Sequence, residues 1–225
     1  MRQPTDNPVW TDVDNYLNTA LIPVDPMLEA ALAANSAAGL PAIDVSPTQG
    51  KFLHLLATIH GARRILEIGT LGGYSTICLA RALPPGGKLI TLEFEAKHAA
   101  VARENIERAN LSALVEIRVG AAANSLAQLW QEEVEAFDLI FIDADKPSNP
   151  IYLEWALKFA RQGTVIIVDN VIRDGKIADA ESTDPAITGT RRMFEMLSAN
   201  PAVEATALQT VGSKGYDGFT IVRVR

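Results

Sequence analysis

The chain has 225 residues, 48% hydrophobic and 21% charged, the balance of an ordinary globular domain. A formal charge of −7 and a pI near 5.0 count against broad binding to nucleic acid or to an anionic membrane. One cysteine, Cys78, excludes internal disulfides and a cysteine-based zinc site, and is compatible with a reducing cytoplasm, the compartment expected here.

Residues 1–225 read as a single domain, with an N-terminal helical arm over 1–45 and an α/β core over 46–225. The first residues show no apolar segment after a basic start, so no signal peptide is expected, and no apolar run is long enough to span a bilayer. Residues 1–10 hold two prolines and are expected to form a loose arm. Helices are predicted at 12–20 and 26–38, the second rich in alanine and leucine and stopped by Gly39. Ser46-Pro47 opens a third helix, with Ser46 as its cap, Phe52, Leu55, Leu56 and Ile59 on one face, and Gly61 as its stop. The apolar surface of these N-terminal helices exceeds what one domain edge needs, which predicts a homodimer.

A strand–helix alternation follows. Strands are predicted at 63–68, 87–93, 114–119, 138–142 and 164–168, and helices at 73–82, 96–109, 124–132, 149–160 and 187–199. This pattern specifies a mostly parallel sheet with helices on both faces. Residues 203–210 and 218–225 are strand-like with no helix between them, so they are expected to pair antiparallel. The fold class is therefore α/β, a Rossmann-like, seven-stranded, mostly parallel sheet with an antiparallel C-terminal hairpin.

The first strand of the alternation runs into Gly69-Thr70-Leu71-Gly72-Gly73-Tyr74-Ser75 and then a helix. A glycine turn there lets a ligand approach the backbone. Leu71 breaks the G-x-G-x-x-G nicotinamide fingerprint. Glu67 would repel a pyrophosphate and attract an amine or a sulfonium. Glu93 ends the second strand 24 residues after Gly69, near the spacing of a ribose-binding acid. The apolar run Leu139–Ile142 ends abruptly in Asp143, Asp145 and Lys146. Ligands of open α/β sheets sit beyond such strand ends; a solvated turn with an internal salt bridge, such as Lys146 with Asp145, is the alternative.

Glu67-x-Gly69 with Gly72-Gly73-Tyr74-Ser75, then Glu93, Asp143-Ala144-Asp145-Lys146 and Asp169-Asn170, resembles the cation-dependent O-methyltransferases. This family holds the catechol and caffeoyl-CoA O-methyltransferases, and the resemblance runs from about residue 40 to the end. It implies S-adenosylmethionine as methyl donor. Glu67, Gly69, Thr70 and Ser75 are implied to hold the methionine part, Glu93 the ribose, Ala122 the adenine surroundings and Asp145 the amino group. Val45 takes a place where relatives often carry a threonine, and offers only its backbone. Asp143, Asp169 and Asn170 are implied as ligands of a divalent cation. Two carboxylates and an amide oxygen are hard donors, suited to magnesium, calcium or manganese.

Lys146 is implied as the catalytic residue that takes the acceptor's proton. The reaction implied is methyl transfer to one hydroxyl of a catechol-like, vicinal dihydroxy aromatic. Two alternatives stand beside it: methylation of a hydroxylated uridine in tRNA, against which the acidic balance counts, and a non-catalytic donor-binding protein. Asn149 departs from the family, where a tyrosine is common. The stretch 172–190 is expected to be an acceptor-side loop, and Tyr216-Asp217-Gly218 to be a structural closing turn.

Overall fold

A computed structural model describes residues 7–225. The part of the expected loose arm at residues 1–6 lies outside the described residues. The rest of that arm is corrected: helix α1 (Pro8–Leu21) begins earlier than predicted. Asn7 accounts for the early start, because its side chain accepts the Val9 amide at 3.1 Å and Pro8 takes the first turn, where no amide is needed. Helices α2 (Pro26–Ala37) and α3 (Pro47–His60) follow as expected. Asp25 caps α2, Ser46 caps α3 through the Gln49 amide at 3.2 Å, and Gly61 ends α3 at a φ of 67°.

Seven strands form one sheet: β1 (Arg64–Ile68), β2 (Lys88–Glu93), β3 (Val115–Val119), β4 (Phe137–Ile142), β5 (Ala160–Asp169), β6 (Val203–Gly212) and β7 (Gly215–Val224). Their order is β3-β2-β1-β4-β5-β7-β6, parallel except for β7, which runs antiparallel to both β5 and β6. The hairpin is tighter than the sequence suggests. Only Ser213 and Lys214 separate β6 from β7, and Tyr216 and Asp217 already pair with Val211 and Thr210. The expected closing turn is thus the start of a strand.

Side-chain alternation along the strands divides the core. Leu66, Ile68, Ile140, Ile142, Ile166 and Val168 pack on one face, with α6 (Ala122–Gln131), α7 (Asn149–Lys158) and α8 (Pro185–Ala199). Ile65, Leu139, Phe141 and Ile167 pack on the other, with α3, α4 (Tyr74–Ala80) and α5 (Ala96–Arg108). Cys78 of α4 is buried in this second layer, its thiol pushed up to about 12 by burial, as a small apolar residue would be placed. Among the described residues no helix is long and apolar enough to cross a membrane.

Candidate functional site

The parallel registers dictate where the strand-end residues meet. Ile68 stands opposite Leu92 on one side and Ile142 on the other, and Ile142 stands opposite Val168. The residues that follow, Glu93, Gly69, Asp143 and Asp169, therefore form a row across β2, β1, β4 and β5. The chain leaves β1 towards β2 and β3 and returns to continue with β4 and β5, so this row lies at the switch point where open α/β sheets bind ligands. A cavity of about 900 Å³ opens over it.

The glycine turn is fitted tightly to this row. Gly69 has a φ of 101°, and a Cβ there would stand 2.0 Å from the Asp143 carbonyl oxygen, so only glycine fits. Glu93 braces the turn from β2. Its Oε2 accepts the Thr70 amide at 3.1 Å and the Leu71 amide at 2.8 Å, and its Oε1 accepts the Glu95 amide at 2.9 Å. Leu71 itself takes a left-handed φ of 50°. Glu93, Gly69, Thr70, Ser75, Ala122, Asp145 and Val45 all line the cavity.

Glu67 departs from the expectation of direct contact. It is 0% exposed and does not line the cavity. Strand alternation turns its carboxylate into the apolar layer, where it meets only hydroxyls. Oε1 accepts from Ser75 at 2.7 Å, and Oε2 accepts from Thr76 at 2.5 Å and from Thr91 at 2.7 Å. Burial outweighs these three donors and raises its pKa to about 7. Glu67 thus holds Ser75 in place from behind the cavity wall.

The three charged groups after β4 separate. Lys146 is buried and donates to Asp143 Oδ1 at 2.8 Å, so the alternative pairing with Asp145 is not formed. Asp145 instead accepts from Ser148 at 2.5 Å and from the Tyr152 hydroxyl. Asn149 is fully buried, and its amide nitrogen donates to Thr190 on α8 at 3.3 Å. The position where relatives place a tyrosine is here a packing contact between α7 and α8.

Asp169 lies beneath the cavity floor beside Asp143, and Asn170 at the wall. Asp169 Oδ2 accepts from Gln49 of α3 at 2.5 Å, and Oδ1 accepts the Asn170 amide at 2.8 Å. Burial and the charge of Asp143 push Asp169 up to about 6. The neighbouring carboxylates of Asp143 and Asp169, with Asn170 next in the chain at a left-handed φ of 55° to offer an amide oxygen, make a donor set that fits a hard divalent cation. Among the described residues no group of three or more His, Cys, Asp and Glu gathers at one point, so any cation here depends on the amide of Asn170.

Three cavity-lining residues, and Gln49 behind Asp169, escape a reading of the sequence. Gln49 hides in the first turn of α3, where its only signal is a position two residues after the Pro47 start. Phe94 is 70% exposed at the rim, next to Glu93. His98 Nδ1 stands 3.4 Å from Glu93 Oε1. Arg173 lines the wall beside Asn170.

Residues 24–224 match the family model described as O-methyltransferase. The chain belongs to this O-methyltransferase family. It is 54% identical over 220 residues to a catechol O-methyltransferase of Niastella koreensis, covering 98% of this chain and 100% of the relative. A catechol O-methyltransferase of Mycobacterium tuberculosis is 53% identical over 214 residues, covering 95% and 96% of the two chains. The O-methyltransferase of Bacillus cereus, solved in complex with SAH, superposes with a TM-score of 0.96 at 61% identity, over 97% of this chain and 99% of that one. The O-methyltransferase class expected from the motifs is thereby borne out, and so is the Rossmann-like sheet with its antiparallel hairpin.

Proposed function

We propose that this O-methyltransferase transfers the methyl group of S-adenosylmethionine to one hydroxyl of a catechol-like aromatic, with a divalent cation at Asp143, Asp169 and Asn170. The observation that supports this best is the row of strand ends, which sets a donor-shaped turn at Gly69 directly beside a hard-oxygen cluster at Asp143. The names of the two curated relatives and the SAH in the Bacillus cereus structure support the same reading.

On the donor side, the Gly69-Thr70 backbone and Ser75 hold the methionine part, with Glu67 fixing the Ser75 hydroxyl. Glu93 keeps free lone pairs on its carboxylate for ribose hydroxyls. Phe94 and Ala122 offer apolar surface to the adenine. Asp145, oriented by Ser148 and Tyr152, receives the amino group, and Val45 closes the wall with its backbone.

When bound, the donor supplies the methyl group and the cation stabilises the acceptor's oxyanion. A phenol titrates near 10, so at neutral pH the acceptor arrives protonated and a base must receive its proton. Lys146 is the group assigned to receive it, its Nζ held at the cavity wall by Asp143. Much of the remaining acceleration comes from holding two reactants in line.

Methyl transfer from labelled S-adenosylmethionine to catechol in the presence of magnesium tests the reading. Lys146→Ala is expected to lower kcat by roughly 10²- to 10⁴-fold, the usual worth of a positioned acid or base, with donor affinity retained. Full turnover in that variant contradicts the assignment of Lys146.

A further inference from the structure

Acidic side chains are spread along the cavity: Asp44, Asp143 and Asp145 line it, and Asp169 is buried next to Asn170. Of the lysines near these groups, Lys146 lines the cavity but is hydrogen-bonded to Asp143, and Lys214, on the β6–β7 turn, does not line it. Arg173 is different. Among the described residues its recorded partner is Asp217, at a loose 3.8 Å, and its side chain is 40% exposed. The other oxygen of Asp217 anchors the backbone. This Oδ1 accepts the amides of Ile172 at 2.9 Å, Arg173 at 3.0 Å and Gly218 at 2.9 Å.

The loop is built to hold Arg173 where it is. Val171 donates its amide to the Gly218 carbonyl at 3.0 Å, and Asp174 donates to the Tyr216 carbonyl at 3.1 Å. These bonds, with the Ile172 and Arg173 amides on Asp217, pin the segment to the start of β7. Asn170, Arg173 and Asp174 all take left-handed φ values, of 55°, 56° and 57°. Left-handed backbone at non-glycine residues is strained and persists where the surroundings over-determine it, commonly at ligand sites. Arg173 lines the cavity from the same loop as Asn170. A guanidinium has five donors in a fork that matches a carboxylate, and the loose pair with Asp217 uses few of them.

We propose that Arg173 is a specificity-determining residue that binds an anionic substituent of the acceptor, so that the preferred acceptors are vicinal dihydroxy aromatics bearing a carboxylate. The inference rests on the catechol reading above and adds the charge of the acceptor to it. A neutral diol gains nothing from Arg173. A diol carrying an ammonium is repelled by it.

The test compares kcat/KM for 3,4-dihydroxybenzoate and for its neutral methyl ester, with magnesium and S-adenosylmethionine present throughout. The readout is the acid-to-ester ratio of each enzyme divided by that of Arg173→Gln, which cancels the intrinsic reactivity of the two phenols. The wild type is expected to exceed Arg173→Gln about tenfold, the worth of one charge-assisted bond, mainly through KM for the acid. Arg173→Lys should recover part of the ratio, and Arg173→Glu should move the preference towards 3,4-dihydroxybenzylamine. Equal ratios in the wild type and Arg173→Gln, with both compounds methylated, overturn the role of Arg173 and leave the catechol reading standing. Transfer to neither compound overturns the catechol reading, and this inference with it.

Discussion

Glu67 shows what one side-chain direction decides. The sequence places an acid at the end of β1, two residues before the glycine turn, and that much is visible from the apolar run before it. Which face of the sheet the acid points to, and that three hydroxyls wait there, depends on Ser75, Thr76 and Thr91 coming together from a helix and a neighbouring strand. The burial has a measurable consequence. The ordinary carboxyl of Glu67 titrates at 4.5, and in the fold it holds its proton up to about 7. Between those values the unfolded chain has released a proton that the native chain keeps, so stability falls as pH rises through this window and levels off above it. Thermal unfolding followed from pH 4.5 to 8 should show that slope, and Glu67→Gln should flatten its part above about pH 6, beyond the range of the likewise raised Asp169. An identical slope in the variant would assign the effect to another group. Asp143, Asp145 and Lys146 were legible as a cluster, whereas their separate partners were not. Arg173 was not legible, because nothing in Ile172-Arg173-Asp174 states which way a loop residue faces.

At the level of elements, the strands and helices of the core follow from apolar runs and from caps such as Ser46 and Gly61. Their registers bring Glu93, Gly69, Asp143 and Asp169 into one row without further instruction. The segments that sequence reasoning placed less well are those fixed by tertiary partners. The start of α1 depends on the Asn7 cap. The early start of β7 depends on Tyr216 and Asp217 finding β6, with the Ser213 amide held by Asp14 Oδ2 at 2.7 Å. Asp217 links this hairpin to the loop after β5. Asp217→Ala leaves three backbone amides without their acceptor, and should cost roughly 1–3 kcal/mol of stability, the range for an unsatisfied buried donor. The loop carries Asn170 and Arg173, so the acceptor KM should rise while the KM for the methyl donor holds. A rise in both would mean that the loop also supports the donor half.

Across the whole molecule, the sheet buries two apolar layers while the N-terminal helix keeps apolar residues outside. Val9, Val13, Tyr16 and Leu21 of α1 are exposed, Tyr16 at 71%, and Leu208 and Val211 of the neighbouring strand β6 are exposed as well. A homodimer that covers this face is the proposal that follows, and light scattering at micromolar concentration should return twice the mass of the 24.2 kDa chain. The paired change Val13→Glu with Tyr16→Glu should return the monomer mass, and a monomer in the unaltered protein would refute the dimer. The central claim is that Asp143, Asp169 and Asn170 work as one cation site beside the donor turn. Its most direct test is methyl transfer to catechol by the metal-stripped enzyme in excess chelator, followed by readdition of magnesium. The account predicts that activity is lost in chelator and returns with magnesium in the wild type, and that magnesium restores nothing in Asp143→Ala. Full activity in excess chelator would contradict it.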